Sequence, residues 1–507
     1  MGEFTSRRKF LRSVAAGSAL ALYGKGQNGF RLPAVSAAEA HVDAQSVRLV
    51  PEIEPLLHLV EETPRDRIVE RVAEKVRQGT TYRQLVAALL LAGVRNIQPR
   101  PSVGFKFHAV LVVQSLHLAA LASPESDRWL PVFWGLDYFK GAQAQDVREG
   151  DWSLGPVRES LVPAPALAAE ALRKALDNWD APMADAAIAG LVRSAKPESV
   201  FELLFRYGAR DFRSIGHKAI FAANAHRTLG FIGWQHAEPV LRSLVYAFLQ
   251  HEGTNPATRD APADLPDRHN RPRAGRLRID HASAKRDDQA VADLLAALRA
   301  AEAIEASDQV GRLIERGIAP QAIWDALFAA AAELLYRQPG IVALHAVTTT
   351  NALHYAWRHC REDETRAYLM LQNAAFLAMF REAMVGRGSV SDRRIDAISP
   401  SQTPLGREGI EAILATISRN PLEAVGKAYA YLSSGGDADA LMRESRAVLL
   451  LTADDPHDYK FTGALFEDFS HVGPPWRDRF MAAGVLRLHG SQHGINPLVH
   501  RVRAAFA

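Results

Sequence analysis

Four apolar runs, spread along the chain at similar intervals, each open with a histidine. They begin at His108, His217, His345 and His457, and the steps between them are 109, 128 and 112 residues. The last two runs also share an Ala-Leu pair seven and eight residues after the histidine. Self-similarity at a long interval indicates diverged copies of one structural unit. The pattern predicts about four copies, each bringing one imidazole to a common centre.

A segment with helix signals precedes each of these runs. The predicted leading helices cover 82–92, 197–207, 320–335 and 437–450, with Thr80 or Thr81 as a cap and Gly93 and Gly208 as stops. Strand signals are scarce. Units of about 110 residues are much longer than the roughly 34 of a tetratricopeptide repeat, which excludes an ordinary solenoid. We therefore predict an all-α fold, a compact helical bundle of about four diverged helix-loop-helix repeats around a central site.

Residues 41–507 are predicted to form a single all-helical metal-binding domain. Hydrophobic residues make up 48% of the chain, which is enough for a large core. The stretch 253–288 is rich in polar residues and predicts a surface insertion, a loop or lid. Cys360 is the one cysteine of the chain, which excludes an internal disulfide and a cysteine-rich metal site.

Residues 1–40 have the features of an export signal. The segment Ser6–Arg12 resembles the twin-arginine signal, a short apolar run follows at 13–23, and small residues at 35–37 or 38–40 suit cleavage. The run is too short for a membrane span, which needs about 20 residues. The resemblance implies a periplasmic protein, carried folded by the twin-arginine export machinery with its metal already inserted. The alternative is a disordered basic tail.

The basic character of the sequence belongs largely to this signal. Without residues 1–40 the chain keeps 54 basic and 55 acidic residues. A nearly neutral remainder gives no electrostatic reason to expect nucleic-acid binding.

A second histidine follows nine residues after the first in three of the runs, at His117, His226 and His354. Nine residues of helix leave the two side chains about half a turn apart, so both cannot face one centre. In the last copy Phe466 stands at the second position. We therefore assign the first histidine of each run to the metal and reject a six-histidine site.

Lys460 lies three residues after His457, so both share one face of the helix. Burial lowers the pKa of a lysine, and a neutral amine can take up carbon dioxide as a carbamate, a carboxylate-like ligand. The alternative is a salt bridge with Glu467 or Asp468. Those two carboxylates and Asp137 are also the predicted acceptors for the outer nitrogens of the histidines.

Four imidazoles and one anionic oxygen favour a redox-active first-row metal over calcium or magnesium. Iron(II) is the first choice, with manganese, copper and zinc left open. The sequence has no HExxH, GxGxxG, P-loop or GxSxG motif in a fitting context.

The run from His345 to Leu353 and the motif His457-Asp458-Tyr459-Lys460 resemble elements of the questin oxidase-like family, as do the helices headed by His108 and His217. The resemblance implies non-haem iron held by four histidines and a carboxylated lysine, and oxidative ring opening of quinone-like aromatics with dioxygen. It departs from the family at Ala109, where the family tends to have a second adjacent histidine. Carried over to this sequence, the ligands are His108, His217, His345, His457 and Lys460.

The expected function is therefore that of an exported iron-dependent oxygenase acting on a small aromatic substrate. Aromatic residues near the histidine runs are candidates for stacking on that substrate, with ordinary core packing as the alternative. Two other functions stay open: a non-catalytic periplasmic repeat protein that binds a partner, and a zinc hydrolase or lyase with the same ligands. The candidate aromatics are Trp134, Tyr138 and Trp357, with Trp234 and Tyr355 as further candidates.

Overall fold

The structure, a computed structural model, describes residues 53–100, 106–281 and 287–507. In these ranges it contains α-helices, short 3-10 turns and no strand, which confirms the all-α prediction. The predicted signal in residues 1–40 lies outside the described residues. The helices are α1 Ile53–Glu62, α2 Ile68–Arg77, α3 Tyr82–Asn96, α4 His108–Leu111, α5 Val113–Leu121, α6 Trp129–Glu149, α7 Ala168–Asp177, α8 Ala181–Ser194, α9 Pro197–Gly208, α10 His217–Ile232, α11 Ala237–Phe248, α12 Leu265–Ala274, α13 Asp288–Ala300, α14 Ala303–Glu315, α15 Pro320–Arg337, α16 Ile341–His359, α17 Asp363–Val385, α18 Gly406–Ile417, α19 Pro421–Ser433, α20 Ala438–Thr452, α21 Pro456–Phe469, α22 Trp476–Gly484 and α23 Pro497–Ala505.

The four predicted leading helices are present as α3, α9, α15 and α20. Each packs against the histidine helix that follows it in the chain, which is α4–α5, α10, α16 or α21 respectively. Thr81 caps α3 in a capping box with Gln84, because each side chain bonds to the backbone N–H of the other. The helix-loop-helix pairs of the sequence prediction are thus formed, while the number of repeats stays a prediction.

The histidine helices also pack against one another in chain order. Helix α10 contacts α16, α16 contacts α21, α21 contacts α5, and α5 contacts α10. A closed cycle of neighbours turns one face of each helix towards a shared interior. This cycle is what brings distant histidines together.

Two local predictions are wrong. Helix α3 does not stop at Gly93 but continues to Asn96. A Cβ at Gly93 would lie 2.9 Å from Cγ2 of Val110, so this glycine allows close packing of α3 against the His108 segment. His345 does not head its helix either, because α16 begins four residues earlier, at Ile341.

The polar stretch 253–288 contains the ten-residue helix α12, so the prediction of a loop is wrong for this part. Asn270 is fully buried and its amide donates to Oε1 of Gln372 at 2.9 Å. The hydroxyl of Tyr368 donates to the buried Asp267 at 2.5 Å. Polar contacts therefore anchor this helix on α17, and the sequence shows no apolar stripe that would have predicted it.

None of the described helices has the length and apolar character needed to cross a bilayer. Cys360 is buried and has a free thiol, in keeping with a small core residue.

Candidate metal centre

The imidazoles of His108, His217, His345 and His457 form a closed ring. Taken in chain order and back to the first, neighbouring ring centroids are 5.0, 4.5, 5.0 and 4.5 Å apart. One nitrogen of each side chain lies within 4.8 Å of one nitrogen of every other. All four residues are between 1% and 4% exposed. The four histidines that the sequence singled out thus meet at one buried point; hereafter they are the histidine ring.

The spacing within the histidine ring suits one metal ion. Nε2 of His217 lies 3.2 Å from Nε2 of His108 and 3.0 Å from Nε2 of His345. Two ligands about 2.1 Å from an ion lie about 3.0 Å apart at a right angle and about 4.2 Å apart when opposite. No separate rearrangement of the helices is needed to accommodate a first-row ion.

Hydrogen bonds fix which nitrogen of two rings carries the proton. Nδ1 of His217 bonds to the carbonyl oxygen of Ser214 at 2.8 Å, and Nδ1 of His345 to that of Ile341 at 2.7 Å. A carbonyl oxygen only accepts, so Nδ1–H donates and Nε2 of the neutral ring keeps its lone pair. Two lone pairs then face each other across 3.0 Å. That contact is repulsive unless a cation lies between the nitrogens, which is how metal-binding histidines are arranged.

Burial keeps the rings neutral. It is the largest cause that lowers the pKa of His108, His217 and His345 well below the usual value. The pKa of His457 is also lowered by burial, although a carboxylate hydrogen bond acts in the opposite direction. Neutral imidazoles are the form that binds metals, and a proton shared between two of them is disfavoured here.

Asp455 orients His457. As the N-cap of α21, its carboxylate accepts from the backbone N–H of His457 at 2.8 Å and from Nδ1 at 2.6 Å. The Asp455 side chain is 46% exposed, whereas His457 is buried. A carboxylate on the outer nitrogen fixes the ring orientation and makes the inner nitrogen a stronger ligand.

A strained turn sets the position of His217. Ile215 has φ of 43° and Gly216 has φ of 81°, so two left-handed residues in succession precede α10. Positive φ is a genuine outlier for a β-branched residue and clusters at functional sites. A Cβ at Gly216 would lie 1.8 Å from Oγ1 of Thr349. Glycine therefore allows the start of α10 to approach α16 close to His345.

We expect Gly216→Ala to destabilise the protein by about 3 kcal/mol or more, from a left-handed alanine and overpacking against Thr349. Gly406→Ala is the matched control, since Gly406 has φ of 69° and nothing within 4 Å of a built Cβ. That control should lose only about 1 kcal/mol. Thr349→Ala in the Gly216→Ala background should restore part of the loss in urea unfolding. Equal losses at both glycines would contradict close packing at Gly216.

Lys460 lies beside the histidine ring. Its side chain is 3% exposed, and Nζ has no hydrogen-bond partner in the described part of the chain. Burial lowers the pKa of the amine to about 7, while the charge of Asp455 acts in the opposite direction. Nζ is close enough to all four histidines of the ring that a positive charge on it would lower the pKa of each. The amine is thus both near the centre and able to be neutral.

Comparison with protein-family models, with curated proteins and with solved structures finds no match to this chain.

The predicted acceptors for the outer histidine nitrogens are not used. Asp137 accepts from Arg65 at 2.7 Å, and Glu467 and Asp468 each accept from the amide of Asn351 at 2.9 Å. For His217, His345 and His457 the structure uses two backbone carbonyls and Asp455 instead. Of these, Asp455 could have been recognised, because an aspartate before Pro456 and His457 is a typical helix cap. The alternative salt bridge of Lys460 with Glu467 or Asp468 is not formed.

The second histidine of each run lies away from the ring. Nδ1 of His117 is 3.2 Å from the hydroxyl of Tyr82, and Nδ1 of His226 is 2.7 Å from that of Tyr355. The His354 ring stacks on Trp357, with centroids 5.9 Å apart and an interplanar angle of 13°. These contacts agree with the half-turn separation derived from the sequence.

The candidate aromatic residues fall into two groups. Trp134 stacks on Tyr138 at 5.1 Å and contacts the ring of Tyr459, next to Lys460, at 5.0 Å. Trp357 follows His345 by twelve residues on one helix, or about 18 Å along its axis. The structure therefore brings Trp134 and Tyr138 near helix α21 of the centre but leaves Trp357 away from it. The two further candidates also lie elsewhere: Tyr355 bonds to His226, and the ring of Trp234 lies 6.3 Å from that of Phe201.

Proposed function

We propose that the protein is an exported, mononuclear, non-haem iron-dependent oxygenase, acting on an aromatic or quinone-like compound with oxidative ring or carbon–carbon cleavage. One observation carries the metal part of this proposal. The neutral imidazoles of His217 and His345 face each other with their lone pairs 3.0 Å apart in a buried site. A bound cation is the arrangement that makes this contact favourable.

His108, His217, His345 and His457 would hold the ion, and Lys460 would add an oxygen ligand. In the carbamate reaction the neutral amine nitrogen forms a bond to the carbon of carbon dioxide and releases one proton. The product carries a carboxylate, which offsets part of the ion's positive charge in a buried site. A nitrogen-rich site with one anionic oxygen and no cysteine favours iron, while manganese, copper and zinc can use the same ligands.

Iron(II), when bound, would mediate the transfer of electrons from the aromatic compound, which is oxidised, to dioxygen, which is reduced. The protein's part is to hold and shield the centre. The carbonyl oxygens of Ser214 and Ile341 and the carboxylate of Asp455 keep the ring orientations fixed. The packed helices exclude water, which strengthens electrostatic interactions inside the site. The resemblance to the questin oxidase-like family supports the choice of oxygen chemistry and of a quinone-like substrate.

The proposed location is the periplasm, reached by the twin-arginine route. Its support is the Ser6–Arg12 segment and the apolar run that follows. Transport of folded protein would allow the buried centre to be loaded before export.

Elemental analysis of the purified full chain, together with oxygen uptake on a quinone substrate, tests the proposal. We expect about one equivalent of a first-row transition metal, mainly iron, and consumption of dioxygen that stops when the metal is chelated. Less than a tenth of an equivalent of any transition metal would exclude a metal enzyme. Zinc as the only metal, with turnover that continues without dioxygen, would favour the hydrolase or lyase.

A further inference from the structure

A cavity of about 320 Å³ lies between helices α5, α20 and α21, and α21 also carries His457 and Lys460. Tyr459 in its wall precedes Lys460, and Gly463 follows Lys460 by one turn. Ser115 in the facing wall lies on α5, seven residues after His108. Its volume is at the lower end of the roughly 300–1,000 Å³ of small-molecule sites. The cavity therefore shares helix α21 with the centre and is large enough for a compact ligand.

Three hydroxyl groups line this cavity without a hydrogen bond of their own. Ser115, Tyr459 and Thr462 are 7%, 2% and 3% exposed. Within the described residues none of the three hydroxyls has a hydrogen-bond partner. On α20, which also borders the cavity, the hydroxyl of Ser445 donates to the carbonyl oxygen of Leu441 at 2.8 Å. None of these three oxygens is among the enclosed side-chain atoms that lack a partner, so they are open to the cavity and available to a ligand that donates or accepts hydrogen bonds.

Arg446 supplies a positive charge to the same wall. Its guanidinium lies 4.8 Å from the centroid of the Phe466 ring, and no carboxylate in the described part of the chain pairs with it. Burial lowers its pKa, and the charge of Asp439 offsets this only in part. A half-buried arginine without a carboxylate partner is suited to bind the carboxylate of a ligand in bidentate fashion.

The one carboxylate in the lining does not cancel this charge. Oε2 of Glu467 accepts from Arg227 at 2.6 Å and from Asn351 at 2.9 Å. The pKa of Glu467 is lowered mainly by the charge of Arg227, against the effect of burial. Glu467 is thus already neutralised by its own arginine, and Arg446 stays available to a ligand.

We propose that this cavity is the substrate site and that it selects an aromatic acid. The carboxylate would pair with Arg446, the ring would lie against Phe466 and the apolar wall, and oxygen atoms on the ring would bond to the three hydroxyls. The reaction at this site rests on the function proposed above, whereas recognition of the acid rests on the cavity alone. An aromatic acid differs from its neutral amide mainly by the negative charge that would pair with Arg446.

The first test compares anthraquinone-2-carboxylate with anthraquinone-2-carboxamide by titration calorimetry on the full chain. We expect Arg446→Gln to weaken binding of the acid by tenfold to a hundredfold, in line with a lost charged hydrogen bond of about 1.5–3 kcal/mol. Binding of the amide should change by less than about twofold. Arg443→Gln, an exposed arginine three residues earlier on α20, is the matched control and should change neither.

The second test fills the cavity without touching a charge. A Cβ at Gly463 would meet its nearest atom, Cδ1 of Leu118, at 3.7 Å, which is ordinary contact. We expect Gly463→Leu to abolish binding of both probes while metal content and folding stay as in the unchanged protein. Gly230→Leu is the control, since nothing lies within 4 Å of a Cβ built there.

The outcomes separate this inference from the proposed function. If neither probe binds the unchanged protein more tightly than about 1 mM, or if Arg446→Gln weakens acid and amide equally, the inference is overturned. If the protein binds metal and consumes dioxygen, but Arg446→Gln does not weaken binding of the acid, the oxygenase proposal stands and the substrate-site proposal is wrong. If Arg446→Gln and Gly463→Leu change binding of the probes as expected but the purified protein contains no metal, the substrate-site proposal is supported and the oxygenase proposal is wrong.

Discussion

Replacing His345 by glutamine should lower the metal content of the purified protein from about one equivalent to less than a tenth. His345 contacts both His217 and His457 in the histidine ring, so its loss breaks the ring at two sides. A single ligand of a four-histidine site contributes several kcal/mol to the roughly 10–16 kcal/mol typical of a structural zinc site. Elemental analysis after gel filtration measures the result, and oxygen uptake should disappear together with the metal.

His354→Gln is the matched control, because His354 lies nine residues later on the same helix and is buried to a similar degree. It packs against Trp324 and Trp357 rather than the ring. We expect this variant to have a lower free energy of unfolding, because a flexible polar side chain replaces a packed ring. It should still bind about one equivalent of metal. A His345→Gln protein that retains the full metal content, or equal losses in both variants, would show that the ion is held elsewhere.

The positions that form the ring could be predicted because a histidine opens each of four similar apolar runs in the sequence. Four histidines at the head of similar runs, each after a helix with its own signals, specify four helices that must pack together. Which histidines form the ring depends only on the face that each helix turns inwards. The half-turn separation within each run correctly excluded His117, His226 and His354 from the ring. Periodicity and repetition are visible in one sequence.

The contacts that orient the ring could not be predicted in the same way. Ser214 and Ile341 act through their carbonyl oxygens, and any residue type supplies a carbonyl. The left-handed Ile215 carries no sequence signal, since isoleucine is among the residues least expected there. Helix α12 was not predicted for a related reason. Buried hydrogen bonds attach it to α17, whereas the spacing of apolar residues predicts only helices that bury an apolar face. Tertiary context decides such details.

A carbon dioxide requirement is the second large effect, and it is carried by Lys460. Nζ is buried without a hydrogen-bond partner in the described residues, and its pKa is lowered to about 7. In the carbamate the group becomes an anion next to the ion. We expect metal-free protein, prepared with a chelator in buffer free of bicarbonate, to bind iron at least tenfold more weakly than with bicarbonate present, since one charged ligand contributes about 1.5–3 kcal/mol.

Carbon-13 bicarbonate provides the direct measurement: the metal-loaded protein should show one carbamate signal that is missing from Lys460→Met. In this variant added bicarbonate should not restore tight metal binding, whereas a short carboxylic acid that fits the vacated space should restore part of it. Lys427→Met is the matched control, because Lys427 is a half-buried lysine that pairs with Glu423 at 3.0 Å. Iron binding that is independent of bicarbonate in the unchanged protein would mean that Lys460 serves the ion only as a neutral amine, because the carbamate would then contribute nothing to the charge of the centre.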